Sequence, residues 1–102
     1  MTFRLFLVGD DDVLDVLAEL SRHLDYFEVS RLDELPEVAL GPHDHVLIAT
    51  HNEAVGLSLL AQVLGSGAPG FAGVVPDLEG DSPGARAITA AAELISALHD
   101  RR

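Results

Sequence analysis

The chain has no cysteine, no lysine and no tryptophan, and it holds a single methionine and a single tyrosine. Without cysteine there is no disulfide framework, no thiolate nucleophile and no Cys-based zinc or iron–sulfur site. Long apolar runs are missing as well: no stretch approaches the roughly 18 uninterrupted apolar residues of a bilayer span. The N-terminus lacks the charged head, apolar middle and small-residue cleavage site of a signal peptide. A soluble, cytoplasmic protein without a membrane role is therefore expected.

Positive charge is scarce. Arg4, Arg22, Arg31, Arg86, Arg101 and Arg102 are the only basic residues beside seventeen acidic ones, and the net charge is −11. Such a field repels phosphate backbones and anionic lipid heads, which argues against nucleic-acid and membrane-surface partners and speaks for solubility. With 102 residues, of which 48% are apolar, the chain is expected to form one domain over residues 1–102 with a modest core.

Strand and helix patterns alternate. Phe3 to Gly9 is an apolar run closed by glycine, as expected of a buried parallel strand. Asp11 or Asp12 can cap a following helix whose apolar stripe is Val13, Leu17, Leu20 and Leu24. Tyr26 to Arg31 reads as a second strand. The stretch Leu32 to His45 is interrupted by Pro36, Gly41 and Pro42, leaving room for a turn or two of helix at most. His45 to Thr50 is β-branched and apolar and reads as a third strand. Asn52 can cap a helix from Glu53 to Leu64, which is apolar on most faces and expected to be well buried. Phe71 to Val75 makes a fourth strand and Pro76 to Gly84 a polar loop. A last helix runs from Ala85 to His99, with Ala85, Ile88, Ala92, Ile95 and Leu98 predicted to face inward.

This alternation predicts an α/β fold of three layers, Rossmann-like, with helices on both faces of a four-stranded parallel sheet. Right-handed crossovers place strand one between strands two and three, in the order 2-1-3-4. Open sheets of this kind bind ligands beyond the carboxyl ends of their strands, where the strand order reverses. Here that point brings Gly9-Asp10-Asp11-Asp12 opposite Thr50-His51-Asn52.

A dinucleotide fold usually has three glycines at the first turn, so that the backbone can approach a pyrophosphate. This chain keeps only Gly9, and carboxylates of Asp10 and Asp11 oppose the favourable field of the helix N-terminus. Dinucleotide binding, if retained, is expected to be weak. Ser30-Arg31 ends the second strand without the usual ribose-binding acid, a pair better suited to the 2′-phosphate of NADP than to NAD. Alternatively Arg31 pairs with Asp33 or Glu34 on a solvated strand end. The candidate cofactor-binding residues are thus Gly9, Asp10, Asp11, Ser30, Arg31, Thr50, His51 and Asn52.

Asp10, Asp12 and His51 form a candidate site for Mg²⁺ or Mn²⁺, because carboxylates suit hard cations and an imidazole tilts the choice toward Mn²⁺ or Zn²⁺. The competing assignment has one Asp capping the helix while its neighbours complement the helix dipole. His43 and His45, at i and i+2, point the same way if the strand has begun by His43, but they lack a third ligand. No serine has an evident base beside it, and no catalytic set can be assembled.

Leu7 to Leu17 resembles the start of a response-regulator receiver domain, with its acidic cluster after the first strand. Receivers end their third strand with a phosphoacceptor Asp and need a later Lys, and this chain has Thr50-His51 and no lysine. A broader resemblance lies in Val46 to Leu60 and Ala68 to Val75. Thr50-His51-Asn52, Leu57-Ser58-Leu59-Leu60 and Ala68 to Gly73 are similar to the "TH-D/N" turn, Leu-rich helix and "AP-x-x-G" strand of the XdhC/CoxI family. Pro83-Gly84-Ala85-Arg86 and the helix around Ala92-Glu93-Leu94-Ile95 look like that family's closing segment. Its "GAGH" turn, however, is Gly9-Asp10-Asp11-Asp12 here, and its "GSRRK" segment is replaced by Pro76-Asp77-Leu78-Glu79. A counterpart of the family's separate cysteine-bearing N-terminal domain is not expected either.

The resemblance implies a non-catalytic accessory module linked to the maturation of molybdenum hydroxylases such as xanthine or CO dehydrogenase, with a molybdenum-hydroxylase or maturation protein as partner. The alternative is an NAD(P)- or divalent-metal-dependent enzyme using the crevice at Asp10 to Asp12 and Thr50 to Asn52. From the sequence, a homodimer is expected to cover the apolar excess of the helix from Glu53 to Leu64, unless the final helix covers it within one chain.

Overall fold

In the computed structural model, which describes residues 3–24, 27–35, 39–75 and 82–100, the alternating elements assemble one parallel sheet. The elements are β1 (Phe3–Gly9), α1 (Val13–Ser21), β2 (Phe27–Leu32), β3 (Asp44–Ala49), α2 (Glu53–Ser66), β4 (Phe71–Val74) and α3 (Pro83–Asp100). Their order in the sheet is β2-β1-β3-β4, with β1 inside as its apolar run requires. Leu7 lies opposite Arg31 on one side and Leu47 on the other. The predicted α/β fold and strand order are what the structure shows. The predicted start of the second strand at Tyr26 lies outside the described residues, as do Pro36, most of the Pro76 to Gly84 loop, Arg101 and Arg102.

The period of two along the central strands divides the core into two layers. Leu5, Leu7, Leu47 and Ala49 pack with Val13, Leu14 and Leu17 of α1 and with Ala87, Ala90 and Leu94 of α3. Phe6, Val8, Val46 and Ile48 pack on the opposite face with Leu40 and with Val63 of α2. The result is a three-layer, Rossmann-like arrangement in which α1 and α3 share one face and α2 covers the other.

Three expectations about packing change. Leu20 is exposed rather than inward, because α1 turns Val13, Leu14, Leu17 and Ala18 to the sheet. The inward face of α3 is Arg86, Ala87, Ala90 and Leu94, whereas Ile88 and Ile95 are 64% and 45% exposed and Ala85 and Ala92 are exposed too. Burying Arg86 sets the rotation of that helix, and small alanines let it approach α1. The side chain of Leu98 lies outside the described residues.

The third change concerns α2, which buries only Gly56 and Val63 although its sequence is apolar nearly all round. Among the described residues it is the one helix on that face of the sheet, so no second helix there covers its flanks, and α3 packs beside α1 instead. The described parts of the stretch from Leu32 to His45 contain no helix, within the limit of a turn or two expected there; Leu40 is tucked against the α2 face and Gly41 and Asp44 close a turn.

Candidate functional site

The reversal of strand order lies between β1 and β3, and a crevice of about 250 Å³ opens there. Gly9, Asp10, Asp33, Thr50, Asn52, Val55 and Leu59 line it. The volume falls below the roughly 300–1,000 Å³ of common small-molecule sites. Gly9 has a φ of +132°, and a Cβ there would overlap the carbonyl of Ala49, so only glycine lets β1 turn away beside β3.

The polar groups of the crevice hold its two loops together. The backbone N–H of His51 donates to Oδ1 of Asp10 at 3.0 Å, joining the turns after β3 and β1. The N–H of Asp11 donates to the carbonyl of Ala49 at 3.2 Å. Asn52 caps α2 as expected, its Oδ1 accepting from the N–H groups of Ala54 at 3.0 Å and Val55 at 3.4 Å. The hydroxyl of Thr50 donates to the carbonyl of Asn52 at 2.6 Å.

Of the two possible caps for α1, Asp11 performs that role: its Oδ1 accepts from the N–H of Val13 at 3.0 Å, while Asp12 makes no side-chain capping bond and is exposed. The Asp11 carboxylate does not face the crevice. It is buried against Arg86, with Nη2 2.9 Å from Oδ2 and Nη1 3.3 Å from Oδ1. Burial pushes the Asp11 carboxyl up, but the hydrogen bonds from Arg86 and Val13 outweigh it and hold it below the ordinary carboxylate value.

Arg31 is also committed within the fold. Its Nη1 donates to the carbonyl of Gly9 at 2.6 Å, and its Nε lies 3.4 Å from the carboxylate of Asp15, not of Asp33 or Glu34. Its planar, permanently charged head thus binds the carbonyl end of β1. Ser30 sits within β2 opposite Phe6, and neither Ser30 nor Arg31 lines the crevice.

Among the eight expected cofactor residues, the structure therefore gathers Gly9, Asp10, Thr50 and Asn52 at the crevice, with His51 joined to it through its backbone. Asp33, Val55 and Leu59 complete the lining and were not foreseen. Among the described residues, no group of three His, Asp or Glu side chains could hold a metal ion, so Asp10, Asp12 and His51 are not assembled as one. At the starts of α1 and α2 the N–H groups of Val13, Ala54 and Val55, which an anion could use, are bonded to Asp11 and Asn52.

At the opposite end of the sheet, Arg4 grips Asp44 across β1 and β3 with contacts of 2.6 and 2.7 Å. The hydrogen bonds from Arg4, helped by the N–H of Gly41, hold the Asp44 carboxyl below its ordinary value. His45 is fully buried, its ring centroid 5.3 Å from that of Phe3. Neither the Asp11–Arg86 nor the Arg4–Asp44 pair was foreseen; the one signal was a lone Arg86 in an otherwise small and apolar helix start. No family model, curated protein or solved structure matches the chain.

Proposed function

We propose that the chain is a non-catalytic Rossmann-like module that docks a protein partner through the outer face of α2. The observation that supports this reading is the exposure of Val55, Leu57 and Leu64 at 47%, 54% and 60% on a helix whose only charged residue is Glu53. Concentrated apolar exposure of this kind marks interaction surfaces on soluble domains. The engagement of Asp11, Arg31 and Asn52 in holding the scaffold supports it too, because each is a polar group withdrawn from chemistry.

The resemblance of Thr50-His51-Asn52 and the segments after it to the XdhC/CoxI family supports one class of partner, a molybdenum-hydroxylase component or maturation factor. A homodimer is another form of the same docking. Size-exclusion chromatography with light scattering, on the chain alone and mixed with molybdenum-hydroxylase subunits from the same genome, tests the proposal. A mass above 10.8 kDa that returns to monomer in Leu57→Gln/Leu64→Gln supports it, and a monomer in every mixture counts against it.

A second reading is favoured by the convergence of Asp10 and Asp33 beside Thr50 and Asn52. It is a crevice that takes NADP, NAD or a Mg²⁺ or Mn²⁺ ion weakly, as part of an enzyme. Calorimetric titration separates the two: binding at submillimolar ligand favours the crevice, and silence at millimolar ligand leaves the docking module.

A further inference from the structure

Ala54, Ser58, Ala61 and Gly65 recur along α2 at intervals of four, three and four, and all four are exposed. The middle of the outward face is consequently a lane without long side chains. Leu57 and Leu64, two turns apart, form a ridge on one flank, and Val55 stands on the other. Beyond Val55 the surface turns acidic, since Asp10 and Asp33 share the crevice with Val55 and Leu59, whereas Glu53 lies one turn before Leu57 on the opposite flank.

Cations to balance these carboxylates are already spoken for among the described residues. Arg4, Arg22, Arg31 and Arg86 each form an ion pair, with Asp44, Glu19, Asp15 and Asp11 respectively. A second copy of the chain would add another net charge of −11 to the contact. Like charges brought together at an interface disfavour association, whereas opposite charges at its rim steer and orient it. A shallow lane beside an aliphatic ridge also has the shape that receives a helix, ridge into groove.

We propose that the α2 face docks an amphipathic helix of another protein, one with an aliphatic stripe for the lane and Lys or Arg along the edge that meets Asp10 and Asp33. The inference rests on α2 as the docking face and adds the shape and charge of the occupant.

The probe is a fluorescein-labelled helical peptide of leucine and lysine, beside matched peptides with glutamine or glutamate at the lysine positions. Anisotropy titrations use the whole chain, Leu57→Asp/Leu64→Asp and Leu57→Gln/Leu64→Gln, all checked for unchanged melting. The lysine peptide is expected to bind at least about tenfold more tightly than the glutamine peptide, and the glutamate peptide not at all. Its affinity should drop about tenfold or more between about 0.05 and 0.5 M salt. Both double variants should weaken it at least about tenfold, even though the Asp pair adds negative charge. Unchanged or tighter binding to the Asp pair would mean charge attraction without an apolar dock, and overturns the inference. Self-association that tightens with salt and vanishes in the Gln pair overturns it in favour of a second copy, while α2 remains a docking face. Absence of both peptide binding and self-association overturns the inference and removes the docking reading with it.

Discussion

Arg86 and Asp11, 75 residues apart in the chain, meet in the interior, where two contacts of 2.9 and 3.3 Å join the start of α3 to the start of α1. Their side chains are 6% and 3% exposed. Asp11 also caps α1, so one carboxylate fixes the beginning of two helices against the sheet. Removing one partner leaves the other charge buried, which costs about 3–5 kcal/mol. Arg86→Ala should therefore lower unfolding stability by that order in urea titrations. Asp11→Gly should do so as well, and should not improve NADP binding, since it loses pair and cap together. An Arg86→Ala variant within 1 kcal/mol of the parent, on the order of an exposed pair, would refute a buried role.

Acid should weaken the fold through Asp11 and Asp44. Both carboxyls lie below the ordinary value in the folded chain, because Arg86 and Arg4 hydrogen-bond the charged forms. In the unfolded chain each titrates near the reference value of about 3.9. The unfolded state then binds protons more readily, so the stabilisation is fully present above about pH 4 and is lost as pH falls through the depressed folded values. Melting temperatures taken from pH 7 to pH 3 should show this loss. Asp44→Asn, lacking one of the two groups, should be less stable at neutral pH and show a shallower decline; a decline as steep as the parent's would count against Asp44.

Gly9 should tolerate no side chain. Its φ of +132° and the carbonyl of Ala49 beside it both exclude a Cβ. Gly9→Ala should cost roughly 3 kcal/mol or more, or prevent folding. Circular dichroism and a denaturant midpoint would read this, and a midpoint equal to the parent's would contradict the geometry.

Rotation of α3 can be checked by truncation. Leu94→Ala removes a buried side chain and should cost about 2–5 kcal/mol, as should Leu7→Ala and Ile48→Ala in the sheet. Ile88→Ala and Ile95→Ala act on exposed positions and should each stay within about 1 kcal/mol of the parent. Equal losses at Leu94 and Ile88 would mean that the helix faces the other way.

Much of the fold was legible because each strand carries its own local signal. Leu5 to Val8 and Val46 to Ala49 are apolar without interruption, so both had to be interior strands, and the handedness of crossovers then left one strand order. Asn52 before an apolar helix was a cap by its chemistry alone, and the strand order alone located the crevice between Gly9 and Thr50. What periodicity could not decide was which of two plausible faces each helix turns inward. In α3 the stripe through Ile88 and Ile95 is the more apolar, yet the stripe through Arg86, Ala87, Ala90 and Leu94 is the buried one. That choice depends on a carboxylate 75 residues away, which no local pattern contains. The same holds at the crevice: sequence placed Asp11 and Arg31 near it by chain position, and tertiary contacts with Arg86 and with the carbonyl of Gly9 turned both into parts of the scaffold. Composition and spacing determine which elements form and in what order they lie, because those signals are local; helix rotation, and whether a charge serves the scaffold or a ligand, are decided only when distant side chains meet.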